Sequence, residues 1–295
     1  MRGNTFDRSS VEGKFEAIMN QAYKKVLDSA GERIDEGAFR DTYGNDQVDE
    51  DIKYVQTRKE QFNRENSIRM NEQARFAMIL ETIISDQAYA NYWLGDNVAV
   101  QQASEYDDIK NGVDLIAEVT HDESKSHFAL AVDITYAIDL EDKFDRILGE
   151  IESGTLGTVK YFESEDGDFH GQLRNVPKVV VGCDKVTMMR VAQLWTSGKQ
   201  SELAQDPLQL QLLDQIALQL ETFGSYARAI GQGAVADKYA RQLKLIKNIL
   251  DTDEKHAVRA NMYTKDSDMI VRDEVNRAIG MHCRRIGQLR AQNQH

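Results

Sequence analysis

Two apolar periods divide this chain, and the place where one gives way to the other limits the folds open to it. Phe76, Ile79, Leu80, Ile83 and Ile84 follow an i, i+3, i+4, i+7, i+8 spacing, the stripe of a helix running from about Ser67 to Leu94. Gly95 is placed to stop that helix. Beyond it the period shortens to two, and residues 98–104, 112–120, 128–137, 157–163 and 178–183 read as short strands between turn residues. Between the third and fourth strands, LEDKFDRILGEIESG spells a helix with Phe144, Ile147, Leu148 and Ile151 inward and Gly154 as its stop. From Asp184 the helical period returns, over Asp184–Gly198, from Asp206-Pro207 onward, and over about 235–250 and 268–291. A short amphipathic helix over 11–29, a loop from Gly31 to Asp51 and a charged segment to about Glu65 come first. Helix, three strands, helix, two strands and more helices define an α+β fold. The expected organisation is a helical N-terminal extension over 1–66, an α+β core over 67–200 and a helical C-terminal extension over 201–295.

Charge is unevenly spread. The net charge is −13, and residues 66–200 carry 23 acidic against 12 basic side chains. From Lys238 to the end the balance reverses, to 12 basic against 7 acidic. An acidic surface argues against polyanion binding by the whole molecule. An acidic centre beside a mildly basic helical end fits a metal-using site with a separate backbone-binding surface; it fits equally an acidic protein with no nucleic-acid partner. No window approaches the ~18 uninterrupted apolar residues of a membrane span, and MRGNTFDRSS has no apolar signal region. Cys183 and Cys283 have no paired spacing, as expected for two reduced thiols. A cytoplasmic location without a membrane partner is therefore expected, and a homo-oligomer is compatible with the sequence.

One stretch, YDDIKNGVDLIAEV (Tyr106 to Val119), gathers Asp107, Asp108, Asp114 and Glu118 beside a strand. Alternation puts Asp114, Ile116 and Glu118 on one face and Val113, Leu115, Ala117 and Val119 on the other. In FALAVDITYA the bulky Phe128, Leu130, Val132, Ile134 and Tyr136 share a face; Ala129, Ala131, Asp133, Thr135 and Ala137 form the other. A hairpin through THDESKSH centred between Glu123 and Ser124 would place Asp114 opposite Asp133. Directly opposed residues stand roughly 5 Å apart. Two carboxylates there repel, so either one pKa rises or a cation sits between them. Mg²⁺, which takes few carboxylates together with water and phosphate oxygens, suits the position.

Plainer readings compete. Asp107 and Asp108 can flank a turn at Asn111-Gly112, and Asp107 can steady the site instead. Asp107 to Glu118 also fits positions 1, 5, 6 and 12 of an EF-hand loop, but Ile109 at position 3 cannot ligate. Glu81 defaults to a solvated helix residue and Lys143 to a surface lysine. The six histidines form no cluster: His121 and His127 flank the hairpin loop without zinc spacing. Gly231-Gln-Gly233 lies between helices and is no nucleotide fingerprint. Trp93 and Trp195 are expected as core or interface anchors. Arg272, Arg277, Arg284, Arg285 and Arg290 read as a solvated helix face, with phosphate contact as the alternative.

The layout of a helix bearing Glu81, NGVDLI on one strand, AVDIT on the next, then helix and strand, resembles the restriction-endonuclease-like PD-(D/E)XK nuclease superfamily over about residues 70–185. The same constellation also resembles uncharacterised proteins of uncultured bacteria, which assigns no function. The superfamily resemblance implies a restriction-endonuclease-like core in which Asp114 and Asp133 bind Mg²⁺ (or Mn²⁺). It places Glu81 as the acidic residue of the preceding helix. The lysine that orients the attacking water is implied two residues after Asp133, where this chain has Thr135. Some members carry that lysine on the following helix, and Lys143 stands there; Lys160 in GTVKYF is the weaker candidate. The implied function is Mg²⁺-dependent hydrolysis of nucleic-acid phosphodiesters, with DNA ahead of RNA as partner. The alternative is a catalytically inactive nuclease-fold binding or assembly protein, favoured by Thr135 as the retained carboxylates favour an enzyme.

Overall fold

Alternation along residues 98–133 builds the central sheet. In the computed structural model, which describes residues 8–28, 33–65, 68–121, 124–133, 140–265 and 273–292, it has four strands in the order β1 (Val98–Gln102), β2 (Leu115–His121), β3 (Ser124–Asp133) and β6 (Lys178–Gly182). The first three form an antiparallel meander, and β6 joins β3 in parallel. A parallel partner requires a crossover. It runs through α5 (Leu140–Ser153) and a separate two-stranded sheet of β4 (Gly157–Glu163) and β5 (His170–Val176). The sequence reading missed β5: HGQLRNV mixes polar and apolar residues, and its exposed His170, Arg174 and Asn175 hide the alternation. Both β4 and β5 thus lie outside the main sheet.

From Leu115 on, the two faces of β2 go to different neighbours, as the alternation requires; Val113, ahead of the strand, joins the Ile116 side and not the Leu115 side expected for it. Leu115, Ala117 and Val119 join the main core with Ile79, Leu80, Ile83 and Ile84 of α4 (Ile68–Asn91). Ile116 packs with Ala103, Val113, Val159, Phe162 and Val176, under the β4–β5 hairpin. Gln102 Nε2 reaches Thr82 Oγ1 at 3.2 Å, which fixes α4 along the β1 side.

Helices form the remainder: α1 (Arg8–Asp28), the single turn α2 (Arg40–Tyr43), α3 (Asn45–Glu65), α6 (Lys185–Thr196), α7 (Gln200–Ala204), α8 (Leu208–Ala229), α9 (Gly233–Leu250), α10 (Asp253–Lys265) and α11 (Glu274–Gln292). Asp184 starts α6 as its composition predicts, its side chain accepting from Thr187 N at 2.9 Å. Residues 45–65, read as the end of a loop to Asp51 and a charged segment beyond it, are helical; few apolar residues carry the stripe, and Val48 and Val55 are the buried ones. One apolar cluster runs from Phe15 of α1 to Ile286 of α11, so the helices at both ends share the core of the sheet. Trp93 and Trp195 are buried there; their indole N–H groups donate to Leu203 O (3.2 Å) and Asp86 Oδ2 (2.7 Å). None of the described helices is long and apolar enough to cross a membrane.

The outer edge of β6 is met by side chains of α8. Gln219 Oε1 accepts from Val180 N at 2.8 Å while its Nε2 donates to Val180 O at 2.6 Å. Gln215 repeats the pattern on Gly182, with both contacts at 3.0 Å. An edge strand presents unpaired backbone groups, and here helix amides satisfy them.

Candidate functional site

The segment before β2 is a π-type turn, Asp107–Asn111, closed by Gly112 in the left-handed region at φ 63°. Asp107 is 0% exposed. Its carboxylate accepts from Lys160 N (2.7 Å), Tyr161 N (2.9 Å), Asn111 Nδ2 (2.6 Å) and Ser104 Oγ (2.9 Å). Burial pushes its pKa up against those four bonds. Asp107 therefore steadies the turn and ties it to β4. The EF-hand alternative fails here: its first ligand position is committed to the backbone, and Glu118 at its last position is a 3%-exposed residue in the middle of β2.

This fixed turn presents Asp108 and Asp114 to one cleft of about 220 Å³, shared with Gly112, Lys143, Arg146, Ile147 and Lys178. Glu81, on α4, is 5% exposed and lies close enough to feel that cleft's charges. Its carboxyl is held well above the ordinary 4.5 by burial first, then by Asp114 and Asp108; Arg33 and Lys143 pull the other way. Lys143, Arg146 and Lys178 bring positive charge to the cleft wall, and Arg33 adds another cation beside it. Arg33 Nη1 donates to Asp108 Oδ2 at 2.8 Å and its Nη2 lies 3.4 Å from Glu81 Oε2. The backbone before β1 aims it there, since Ile34 N donates to Gln102 O at 3.3 Å. Burial disfavours the Arg33 charge, but Asp108, Glu81 and Asp114 outweigh it and raise its pKa.

Three of the four expected residues, Glu81, Asp114 and Lys143, thus converge, with Lys143 in the first turn of α5. Asp133 ends β3, its backbone paired with Gly182. The register expected for it was off by two: His121 faces Ser124 and Leu115 faces Leu130, so continuing the ladder sets Ala131, not Asp133, opposite Asp114. The hairpin turn is tighter than the polar run THDESKSH implies, because Ser124–His127 belong to β3. The shift is even, so it leaves the alternation of positions 114 and 133 intact. The Asp133 side chain and Thr135 lie outside the described residues, as do the side chains of His121, His127 and Arg290, and Arg272 altogether.

Lys160 sits elsewhere. Its Nζ pairs with Asp51 of α3 and lies 5.3, 5.2 and 5.3 Å from the ring centres of Tyr43, Tyr106 and Tyr161. That arrangement pins α3 to β4, away from the cleft. Of the C-terminal arginines, Arg285 pairs with Glu141 at 2.7 Å. Two residues of the site went unrecognised. Asp108 read as a turn residue, and Arg33 lies 75 positions away from it with no local signal. Among the described residues, no group of three His, Cys, Asp or Glu side chains could hold a metal ion. Comparison with family models, curated proteins and solved structures finds no match to this chain.

Proposed function

We propose that the chain is a Mg²⁺-dependent nuclease on a restriction-endonuclease-like core, hydrolysing nucleic-acid phosphodiesters with DNA ahead of RNA. The observation that carries this reading is the convergence of Asp108, Asp114 and Lys143 on one cleft, with the buried Glu81 within reach of their charges. The element order from α4 through β1–β3 and α5 to β6 supports it, with Glu81 on the first helix and Asp133 closing β3. The donor chemistry also fits: Mg²⁺ takes one or two carboxylates and completes its shell with water and phosphate oxygens, so three clustered protein ligands are not required. Asp114 and Asp133 would hold the ion, with Asp108 beside them. When bound, it supplies a Lewis acid and a water of lowered pKa. The chain itself orients the scissile phosphate through Lys143, whose ammonium stabilises charge developing on the phosphoryl oxygens. Glu81 restrains Asp114 electrostatically from behind.

The test is cleavage of labelled DNA and RNA by purified protein in Mg²⁺, Mn²⁺ or excess chelator, with Asp114→Asn and Asp133→Asn beside the wild type. Loss of cleavage in chelator and in both variants is the expected result. Cleavage that survives chelator overturns the metal mechanism. Absence of both cleavage and Mn²⁺ binding selects the second reading, a non-catalytic binding or assembly protein, which Thr135 favours.

A further inference from the structure

The second cleft of interest is basic, and it shares a strand boundary with the first. Ser126, Arg174, Val176, Pro177, Lys238, Arg241 and neighbours line a space of about 260 Å³ between β5 and α9. Lys178, which follows Pro177 and opens β6, lines the first cleft, so adjacent residues of the chain line the two. No carboxylate lines the basic cleft, in a chain with 49 acidic against 36 basic residues.

The three cations there have no ion-pair partner among the described residues. Lys238 Nζ donates to Asn175 O at 3.0 Å, and Arg174 Nε to Gln172 Oε1 at 3.0 Å. Lys238 and Arg241 lie three apart on α9, where like charges face each other and destabilise the helix. Burial and then Arg241 press the Lys238 pKa down. Asn175 adopts a left-handed φ of 57°, and the Lys238 contact is made to its carbonyl. Uncompensated repulsion between cations in a concave site is relieved by an anion. Arg174 and Arg241 are both exposed, and the guanidinium fork is suited to phosphate oxygens.

We infer that this cleft binds a phosphate oxyanion, and that its source is the nucleic-acid backbone passing from the cleft of Asp114 and Lys143 across the β5–β6 connection. The choice of source rests on the nuclease reading; the anion site does not. It gives a use to Lys238 and Arg241, the first two of the basic residues from Lys238 onward.

The test uses the full chain in excess chelator, so that cleavage does not intervene. Fluorescence anisotropy with labelled duplex and single-stranded oligonucleotides is measured across salt concentrations for wild type and an Arg174→Gln/Arg241→Gln double variant. Calorimetry with pyrophosphate forms the second arm. Both arginines are exposed, so an unchanged melting temperature is the control for folding. The double variant is expected to bind oligonucleotide at least about tenfold more weakly, with a salt slope shallower by roughly 1.8 on duplex. If pyrophosphate alone binds, and the variant loses it, the anion site stands while the nuclease reading loses its substrate. If both probes bind wild type and variant equally, the cleft proposal is overturned and the nuclease reading is untouched. If wild type binds neither probe, the cleft proposal is overturned as well.

Discussion

Arg33 Nη1 stands 2.8 Å from Asp108 Oδ2 while its Nη2 stands 3.4 Å from Glu81 Oε2, so one guanidinium joins the turn before β2 to the helix α4. The protein thereby carries its own counter-ion for Asp108 and Glu81. A divalent cation held by Asp114 and Asp133, as proposed, would meet that charge as a nearby repulsion.

Arg33→Gln is therefore expected to act in two directions. Without metal it leaves the nearly buried Glu81 short of its partner and destabilises the fold by about 1–3 kcal/mol. With metal it removes a repulsive charge, and Mn²⁺ affinity rises by roughly tenfold, equivalent to about 1.4 kcal/mol. Thermal melts with and without Mn²⁺ read both effects. A variant that is less stable yet gains no more from Mn²⁺ than wild type contradicts that repulsion.

Glu81 gives a pH signature. Its carboxyl rises above its ordinary 4.5 because of burial, Asp114 and Asp108, in that order. Between 4.5 and the raised value the folded chain keeps a proton that the unfolded chain releases. That contribution to stability is complete below 4.5 and is lost as pH rises through the folded value. Glu81→Gln has no such loss, so its stability relative to wild type should grow from pH 5 to pH 8 in metal-free urea titrations. Parallel curves would sink the assignment.

Lys143 faces the same cleft from a helix N-terminus, where a cation is mildly disfavoured by the dipole. Lys143→Ala is expected to lower turnover by on the order of 10²-fold while the fold is retained, if it stabilises transition-state charge. Lys160→Ala should instead lower stability, since it removes the partner of Asp51. Cleavage assays on both, with melting temperatures, separate the two lysines.

Asp107→Ala removes an acceptor of four hydrogen bonds from a fully buried site and frees the turn that presents Asp108 and Asp114. A loss of about 3 kcal/mol or more is expected in urea unfolding. A change within experimental error would mean that the turn holds itself without Asp107.

Local periodicity made β1, β6, α4, α5 and most C-terminal helices legible, because each buries a regular face. It failed at β5, where exposed polar residues break the alternation, and at α3, whose buried face rests on few apolar side chains. At the site, alternation gave Asp114 its face, whereas periodicity alone left Glu81 a solvated helix residue and Lys143 a surface lysine; only the superfamily resemblance singled those two out. Arg33 was not legible, since its place depends on a backbone contact to Gln102 that no neighbouring residue announces. The Asp107 anchor was half visible: its turn is written in Asn111-Gly112, but its bonds to Lys160 N and Tyr161 N depend on the fold of β4.

The pairing of Gln215 and Gln219 with Gly182 and Val180 rests on a coincidence of lengths. Four residues of helix advance about 6.0 Å and two residues of strand about 6.6 Å, so amides four apart meet carbonyls two apart without stretching either. Helix α8 consequently occupies the position of a fifth strand and can dock in only one register. A second copy of this chain cannot extend the sheet at β6. Within the four-stranded sheet, strand addition is left to the opposite edge, at β1, where Ile34 already covers one end.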